Sequence, residues 1–300
     1  LKDKLKGEHP MEYLHLFKTK TEHDSFYGGN KYKEPWLAYI RDNTLVTSNR
    51  TYEYYRNEYL TIEVLDDGDG NITITIPEII DSTYATSLSY SKDKSNWVET
   101  TIDSTNQTIT IPVSAGEDVY LKGEAKQWYD GDYEEGMNIT SSANMNASGN
   151  IMSLLYGDNF KDKATFPEGS SGALGCLFNS NEHLIDVENL ILPATTLAPS
   201  CYIYMFQNCT SLTTAPELHA TTLASYCYYY MFSGCASLVV TPTLPVMELK
   251  EGCYVGMFSG CSSLTTAPTL PAMTLASYCY SNMFESCTSL TTAPTLPATK

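Results

Sequence analysis

A 26-residue repeat occupies the C-terminal half of the chain and constrains the fold more than any other feature. Its most regular element is the pair Met205-Phe206, which recurs at 231–232, 257–258 and 283–284, after a degenerate copy at 177–178. Three further columns keep the same step and are interpreted as structural ladders: Cys201, Cys227, Cys253 and Cys279; Cys209, Cys235, Cys261 and Cys287; and Leu212, Leu238, Leu264 and Leu290. One unit is too small to bury its own apolar side chains, so the units are expected to stack into a solenoid with a shared core.

The length of the repeat narrows the class of solenoid. A period of 26 residues lies within the range of about 20–29 that is typical of leucine-rich repeats. Each unit contains a short extended piece such as residues 264–270, a Pro-Ala turn, and a second apolar piece around Leu275. A short helical turn is expected from Tyr278 through Phe284. The sequence therefore predicts a leucine-rich-repeat solenoid of period 26.

The repeat also resembles a known family in its detailed sequence. Residues 257–264 (MFSGCSSL) are similar to the M/A-F-x-G-C-x-S-L core of BspA-type leucine-rich repeats. Residues 265–280 resemble a variant found in surface proteins of gut Bacteroidales and of phages infecting them, and residues 11–17 are similar to the start of the same proteins. Val239-Val240 departs from the Thr-Thr of the pattern. The resemblance implies surface display and adhesion rather than catalysis.

Alternating apolar and polar residues mark strands in the front half of the chain. Six such runs are recognisable, at residues 59–64, 71–76, 87–91, 97–102, 108–113 and 119–123. Between the first two lies DDGDG at residues 66–70, a turn sequence that predicts a hairpin. Turn signals every 8–12 residues or so favour a small immunoglobulin-like β-sandwich. The predicted fold class is therefore mainly β, with this sandwich followed by the solenoid.

These patterns divide the chain into four segments. Residues 1–50 are rich in aromatic side chains and are expected to act as an anchor that docks to an assembly. Residues 51–127 form the sandwich-like domain, residues 128–169 a connector and the N-terminal cap of the solenoid, and residues 170–300 the BspA-like repeats. The repeat stops at 297–300, where another leucine is due, so we expect a continuing chain or a partner to cover this end.

Nine cysteines and one acidic turn are the candidates for metal or redox chemistry. Cys201 and Cys209 are eight residues apart rather than in a C-x-x-C pair, and histidines at ligand spacing are lacking. We favour ladders of buried, reduced thiols, with some disulfides or a metal site as weaker alternatives. Residues 67–71 (DGDGN) match the opening of an EF-hand loop, but Ile72 stands where that loop needs glycine. A solvated turn is favoured there over a weak cation site.

Composition excludes several classes of function. The chain carries 35 acidic and 18 basic side chains, a net charge of −17, which argues against nucleic acid as a partner because phosphate binding needs clustered Lys and Arg. No run of 18 apolar residues exists, so no membrane span is predicted. The triplet Glu22-His23-Asp24 reads as a polar turn, because adjacent side chains do not converge on one reacting atom. Phosphate-binding motifs are also lacking. We expect no cofactor, no metal and no enzymatic activity.

Positions that vary between repeats supply the candidate contact residues. Fixed columns are expected to face the core and variable ones the solvent. Two variable columns adjoin the fixed Cys-Tyr pair, and from them we select Ile203, Tyr204, Tyr229, Tyr230, Val255 and Asn282. Tyrosine offers rigid contact area with a polar tip, which suits recognition of a protein or glycan. The alternative is an exposed face that binds nothing.

The sequence-based expectation is a non-enzymatic surface-displayed adhesion or host-recognition protein. It would act on a phage virion or on a gut bacterial cell surface, with a host surface glycan or protein, or other virion or cell-surface proteins, as partner. A purely structural component for virion assembly or decoration is the alternative. A polysaccharide-active enzyme is a weaker one, because it needs two carboxylates in a cleft and the repeats are poor in acidic residues.

Overall fold

A computed structural model describes residues 39–41, 44–46, 55–65, 68–103, 105–130 and 135–297. The chain forms two compact units, Leu1–Asn57 and Glu58–Lys300. In the first unit, strand β1 (Tyr39–Arg41) pairs antiparallel with β2 (Thr44–Val46). Apart from these two strands, the predicted N-terminal anchor, residues 1–50, lies outside the described residues.

The second unit confirms the six strands that alternation predicts. They are β3 (Leu60–Val64), β4 (Gly70–Ile76), β5 (Ala85–Ser91), β6 (Val98–Thr101), β7 (Gln107–Val113) and β8 (Asp118–Ala125). In β4, Ile72, Ile74 and Ile76 are fully buried, whereas the residues between them are half-buried or exposed. This follows because successive side chains of a strand point to opposite faces of its sheet.

The stretch predicted as a connector contains regular structure. It holds β9 (Tyr129–Asp130), β10 (Glu135–Gly136), β11 (Asn138–Ser141), β12 (Met145–Asn150), a four-residue helix α1 (Ser153–Tyr156) and a 3-10 turn, Gly157–Asn159. Its Asn, Ser and Gly disfavour strands by propensity, but burial against neighbouring strands overrides that weak preference. Strand β12 is antiparallel to β3 and parallel to β13 (Leu184–Asp186) and β14 (Leu190–Ile191). It thereby joins the front strands to the first repeat.

The hairpin predicted between β3 and β4 is wrong. Strand β3 lies between β8 and β12 and is antiparallel to both, so both of its edges are occupied. Strand β4 pairs instead with β7 and β11, in a separate sheet of order β11-β4-β7. The larger sheet runs β13-β12-β3-β8-β5-β6, with β14 also paired to β12. A Gly-Asp sequence identifies a turn but does not choose which strand pairs with which.

The repeats contact one another through five segments that we call the axial turns: residues 172–180, 200–208, 226–234, 252–260 and 278–286. In the first four of these turns, every second N–H group donates to a carbonyl of the next repeat, and most of the N–H groups between them donate to the carbonyl three residues earlier. The N–H of Tyr204 donates to the carbonyl of Tyr229 in the next repeat at 2.9 Å, whereas the N–H of Met205 donates to the carbonyl of Tyr202 in its own turn at 3.4 Å. Each of the first four axial turns donates five such bonds to the next repeat, four to the axial turn that follows and one to the residue just before it.

The short helix predicted from Tyr278 through Phe284 is wrong. Every fourth residue of an axial turn is left-handed; in the last turn these are Tyr278, Asn282 and Ser286, with φ of +56°, +54° and +59°. A right-handed α-helix cannot continue through such residues. The structure is consequently mainly β with very little helix among the described residues.

The interior of the repeats is a set of side-chain columns. Phe206, Phe232 and Phe258 stack nearly parallel with ring centroids 5.3 and 5.8 Å apart, and Tyr228 and Tyr254 stack at 5.7 Å. These side chains belong to one buried cluster that reaches from Leu60 in β3 to Cys287 in the last repeat. The front strands and the repeats therefore share a single hydrophobic core.

Candidate functional site

Four partly exposed tyrosines lie together on the second and third axial turns, and we call them the tyrosine cluster: Tyr204, Tyr226, Tyr229 and Tyr230. The ring centroids of Tyr229 and Tyr230 are 4.7 Å apart, those of Tyr204 and Tyr229 5.5 Å, and those of Tyr226 and Tyr229 5.8 Å. All three pairs are edge-to-face, a geometry that contributes about 0.5–1.5 kcal/mol per pair beyond the area buried. The cluster is therefore held in place by its own contacts.

The backbone beneath the tyrosine cluster is strained. Tyr204, Tyr226 and Tyr230 have φ of +54°, +57° and +48°. A left-handed conformation costs an L-residue other than glycine about 1–2 kcal/mol, because Cβ crowds the following carbonyl oxygen. The hydrogen bonds between turns and the ring contacts hold these residues there. The same left-handed position recurs in every axial turn, so this strain belongs to the repeat backbone as a whole.

Three buried side chains pack against the inner side of the tyrosine cluster. Tyr129, Cys176 and Ile203 are 1, 7 and 9 % exposed, and Tyr204 and Tyr229 pack against them. Tyr129 belongs to β9, which precedes the repeats in sequence. The front strands thus help to position the surface that the repeats carry.

The structure separates the six contact residues predicted from the sequence. Ile203 and Val255 are only 9 and 8 % exposed, so the expectation that variable columns face solvent is wrong for both. The other four are partly or fully exposed: Tyr204, Tyr229, Tyr230 and Asn282. Three of these lie in the tyrosine cluster, whereas Asn282 lies on the last axial turn.

Sequence reasoning missed Tyr226 and the glycines beside the cluster. A Cβ added to Gly252 would lie 2.4 Å from the ring of Tyr226, and one added to Gly256 would lie 2.4 Å from the ring of Tyr230. Each ring therefore lies directly on the backbone of the next repeat, where a side chain would collide with it. The signal in the sequence is the spacing of four residues between Gly252, Gly256 and Gly260, which are all left-handed.

One carboxylate contacts the rim of the tyrosine cluster. The hydroxyl of Tyr226 donates to Oε1 of Glu251 at 3.0 Å. This bond, followed by smaller effects, raises the pKa of Tyr226, because ionising the phenol would lose the donor and place two negative charges together. The cluster can therefore offer aromatic faces and phenolic hydroxyls to a ligand, which allows stacking and hydrogen bonding.

The cysteine ladders are buried thiols that donate to the backbone. All nine cysteines are free and buried. The Sγ of Cys209 lies 3.0 Å from the carbonyl oxygen of Phe178, and the Sγ of Cys235 lies 3.0 Å from that of Phe206. Burial raises the pKa of Cys209 to about 12, so the thiol is protonated at neutral pH. A protonated thiol is a poor nucleophile and a poor metal ligand.

The candidate cation turn and the acid–base triplet remain without support. Asp67 and the triplet at residues 22–24 lie outside the described residues. Asp69 accepts a hydrogen bond from the N–H of Ala115 at 3.0 Å. Within the described part of the chain, no three His, Cys, Asp or Glu side chains converge in a way that could hold a metal ion.

Comparison with protein families, with curated proteins and with solved structures returned no match to this chain. Among the described residues, no helix has the length and apolar character needed to cross a membrane.

Proposed function

We propose that this chain is a non-enzymatic, surface-displayed adhesion or host-recognition protein whose repeats carry the binding face. In this proposal the repeats form a leucine-rich-repeat solenoid of the BspA-like kind, and the two front sheets form an immunoglobulin-like β-sandwich that positions it. The chain would be displayed on a phage virion or on a gut bacterial cell surface. The observation that carries the proposal is the tyrosine cluster, four partly exposed rings fixed on neighbouring axial turns.

The chemistry of the cluster favours a ligand that is bound by stacking and hydrogen bonds. Rigid tyrosines give contact area at a low cost in conformational entropy, and their hydroxyls give polar specificity. Between Tyr204 and Phe284 the sequence contains only four Asp, Glu, Lys or Arg residues: Glu217, Glu248, Lys250 and Glu251. With so few charges nearby, long-range steering contributes little to association. A host surface glycan or a weakly charged protein surface suits this site best.

The proposal is tested by binding of the full chain to host cells and to an array of their surface glycans. We expect Tyr229→Ser to lower binding at least tenfold, because Tyr229 contacts three rings of the cluster. The matched control is Tyr90→Ser, since Tyr90 is also half-buried but lies in β5 of the front sheet. Equal binding by both variants, with both folded, would exclude the cluster as the binding face.

A structural role in virion assembly or decoration is the second candidate. The regular hydrogen bonding between axial turns favours it, because such a stack makes a rigid spacer. A stable complex with particle proteins, together with no binding to host cells or glycans, would support this role over adhesion.

A further inference from the structure

The rings of the tyrosine cluster meet at steep angles rather than lying side by side. The ring planes of Tyr204 and Tyr229 are 80° apart. Those of Tyr226 and Tyr229 are 71° apart, and those of Tyr229 and Tyr230 are 63° apart. Two rings that meet in this way form a concave corner with an aromatic face on each side. A sugar ring stacks on one flat face, whereas a compact, nearly spherical group can contact both faces of such a corner.

The electrostatic potential at these corners favours a positive charge. The face of an aromatic ring is negative, so it attracts a cation. A carboxylate adds to this attraction, because Oε1 of Glu251 accepts the hydrogen bond from the hydroxyl of Tyr226 at 3.0 Å. The pKa of Tyr226 is raised, first by this hydrogen bond and then by desolvation and by the negative charge of Glu251. A potential that disfavours the phenolate stabilises a cation at the same place.

The described part of the chain supplies no cation to these rings. Lys250 is the only Lys or Arg between residues 204 and 284, and its Nζ pairs with Oε1 of Glu248 at 3.2 Å. Among the described residues, no lysine or arginine lies over any ring of the third axial turn. In the front strands, by contrast, Nζ of Lys122 lies 4.2 Å from the ring centroid of Trp97. The exposed ring faces of the third axial turn are therefore available to a cation that a ligand brings.

We propose that the tyrosine cluster binds a quaternary ammonium group, with Glu251 as its counter-ion. The methyl groups would lie against the ring faces of Tyr226, Tyr229 and Tyr230. A primary ammonium is strongly hydrated and carries three N–H donors that ring faces satisfy poorly. A quaternary ammonium has no N–H group and combines an apolar surface with a full positive charge, which suits an aromatic cage. The inference rests on the proposed function, because it names the group that the same site would recognise on a host surface glycan.

Two probes of the same shape test whether the site requires a positive charge. One is choline, and the other is the alcohol in which the trimethylammonium group of choline is replaced by tert-butyl. Binding of each probe to the full chain is followed by NMR of isotope-labelled tyrosines at constant ionic strength. We expect choline to bind at least tenfold more tightly than the alcohol, since only choline gains the cation–π attraction. Equal affinities would overturn the proposal, because the site would then recognise the methyl groups alone.

Two glutamine variants test the role of Glu251. Glu251→Gln keeps an oxygen that can accept the hydrogen bond from Tyr226 but removes the negative charge. It should weaken choline binding at least threefold and leave binding of the neutral alcohol unchanged. The matched control is Glu217→Gln, which also removes an exposed carboxylate from the repeats but lies outside the axial turns. Equal effects of the two variants on choline binding would overturn Glu251 as the counter-ion.

Two substitutions at Tyr229 separate the ring from its hydroxyl group. Tyr229→Phe keeps the ring faces and should retain choline binding, whereas Tyr229→Ser removes them and should weaken it at least tenfold. Circular dichroism of each variant shows that the fold is kept. Loss of choline binding in Tyr229→Phe to the same extent as in Tyr229→Ser would mean that the hydroxyl binds the ligand, and would overturn a site made of ring faces.

Competition separates this inference from the proposed function. Choline at saturating concentration should displace the full chain from host cells and their glycans, which supports both. Host binding that requires Tyr229 but is unaffected by choline would leave the proposed function in place and overturn the quaternary ammonium ligand. Host binding that is unaffected by choline and by Tyr229→Ser would overturn both.

The source of the ammonium group is tested with two carriers of phosphocholine. The full chain should bind dextran conjugated with phosphocholine, and Tyr229→Ser should abolish this binding. Vesicles of phosphatidylcholine present the same headgroup on a lipid surface. Binding to the vesicles alone would make a lipid headgroup the ligand and overturn a glycan as the carrier.

Discussion

Replacing Gly256 by alanine tests the contact between the tyrosine cluster and the following repeat. Gly256 has φ of +56°, and a Cβ at this position would lie 2.4–2.6 Å from three ring atoms of Tyr230. Gly260 has φ of +76°, and its Cβ would lie no closer than 3.3 Å to any neighbour. The two glycines therefore share the backbone requirement and differ in the space available, which makes Gly260→Ala the matched control.

The expected magnitudes follow from these two differences. In Gly260→Ala, the left-handed backbone should lower the free energy of unfolding by about 1–2 kcal/mol, and the 3.3 Å approach of the new Cβ to the backbone nitrogen of Gly234 adds a smaller strain. In Gly256→Ala the same cost applies, and the ring of Tyr230 must also move away from its neighbours. Displacing packed side chains costs about 1–3 kcal/mol more. Gly256→Ala should thus lower the free energy of unfolding by about 1–3 kcal/mol more than Gly260→Ala does.

Urea unfolding followed by circular dichroism measures both variants, and a double variant identifies the cause. Combining Gly256→Ala with Tyr230→Ser removes the ring that the new methyl group would meet. The effects of the two substitutions should then be non-additive by about 1–3 kcal/mol, since residues in contact couple and distant ones do not. Equal destabilisation by Gly256→Ala and Gly260→Ala, or additive effects in the double variant, would refute the placement of Tyr230 on Gly256.

Two further predictions concern the axial turns. Ser200 is half-buried and has a φ of +52°, so Ser200→Gly should relieve left-handed strain and raise the free energy of unfolding by about 0.5–1 kcal/mol. The control is Ser211→Gly, which replaces a serine of ordinary φ and should lower the free energy of unfolding. Urea titrations in which Ser211→Gly is the more stable variant would contradict the left-handed backbone at Ser200. Burial raises the pKa of Tyr280 to about 12 from 10.0 and that of Tyr254 further. Because the folded state favours the neutral phenol, this contribution to stability is complete below pH 10 and is lost as the pH rises through 12. In an alkaline titration, the rise in tyrosinate absorbance at 295 nm should therefore coincide with the loss of circular dichroism. Full ionisation of the tyrosines near pH 10 with the fold intact would disprove the prediction.

Local patterns in the sequence predict the strands and the repeat interior well. Ile72, Ile74 and Ile76 alternate with polar residues, and the structure buries all three. The repeated Met-Phe pair correctly indicates an interior column, because only stacking of the units can bury it. Both patterns are predictive because they reflect which side chains are buried, and burial is determined separately at each residue.

The same patterns do not predict which strands pair with one another or which residues adopt a left-handed backbone. The turn at residues 66–70 does not specify that β3 pairs with β8 and β12 rather than with β4. The left-handed position is glycine in one repeat but tyrosine in another, as at Gly256 and Tyr230, so the column lacks a uniform glycine signal. Ile203 varies between repeats and is nevertheless buried, because Tyr129 from outside the repeats packs against it.

The uniform direction of the bonds between axial turns has an electrical consequence. In a β-sheet the peptide dipoles of neighbouring groups largely cancel, but here every peptide group that links two axial turns has its N–H directed toward the C-terminal turn. Five columns of aligned dipoles therefore run along the stack and add, as they do in an α-helix. The turn at residues 278–286 is the positive pole of these columns and the turn at residues 172–180 the negative one, in repeats that carry few charged side chains.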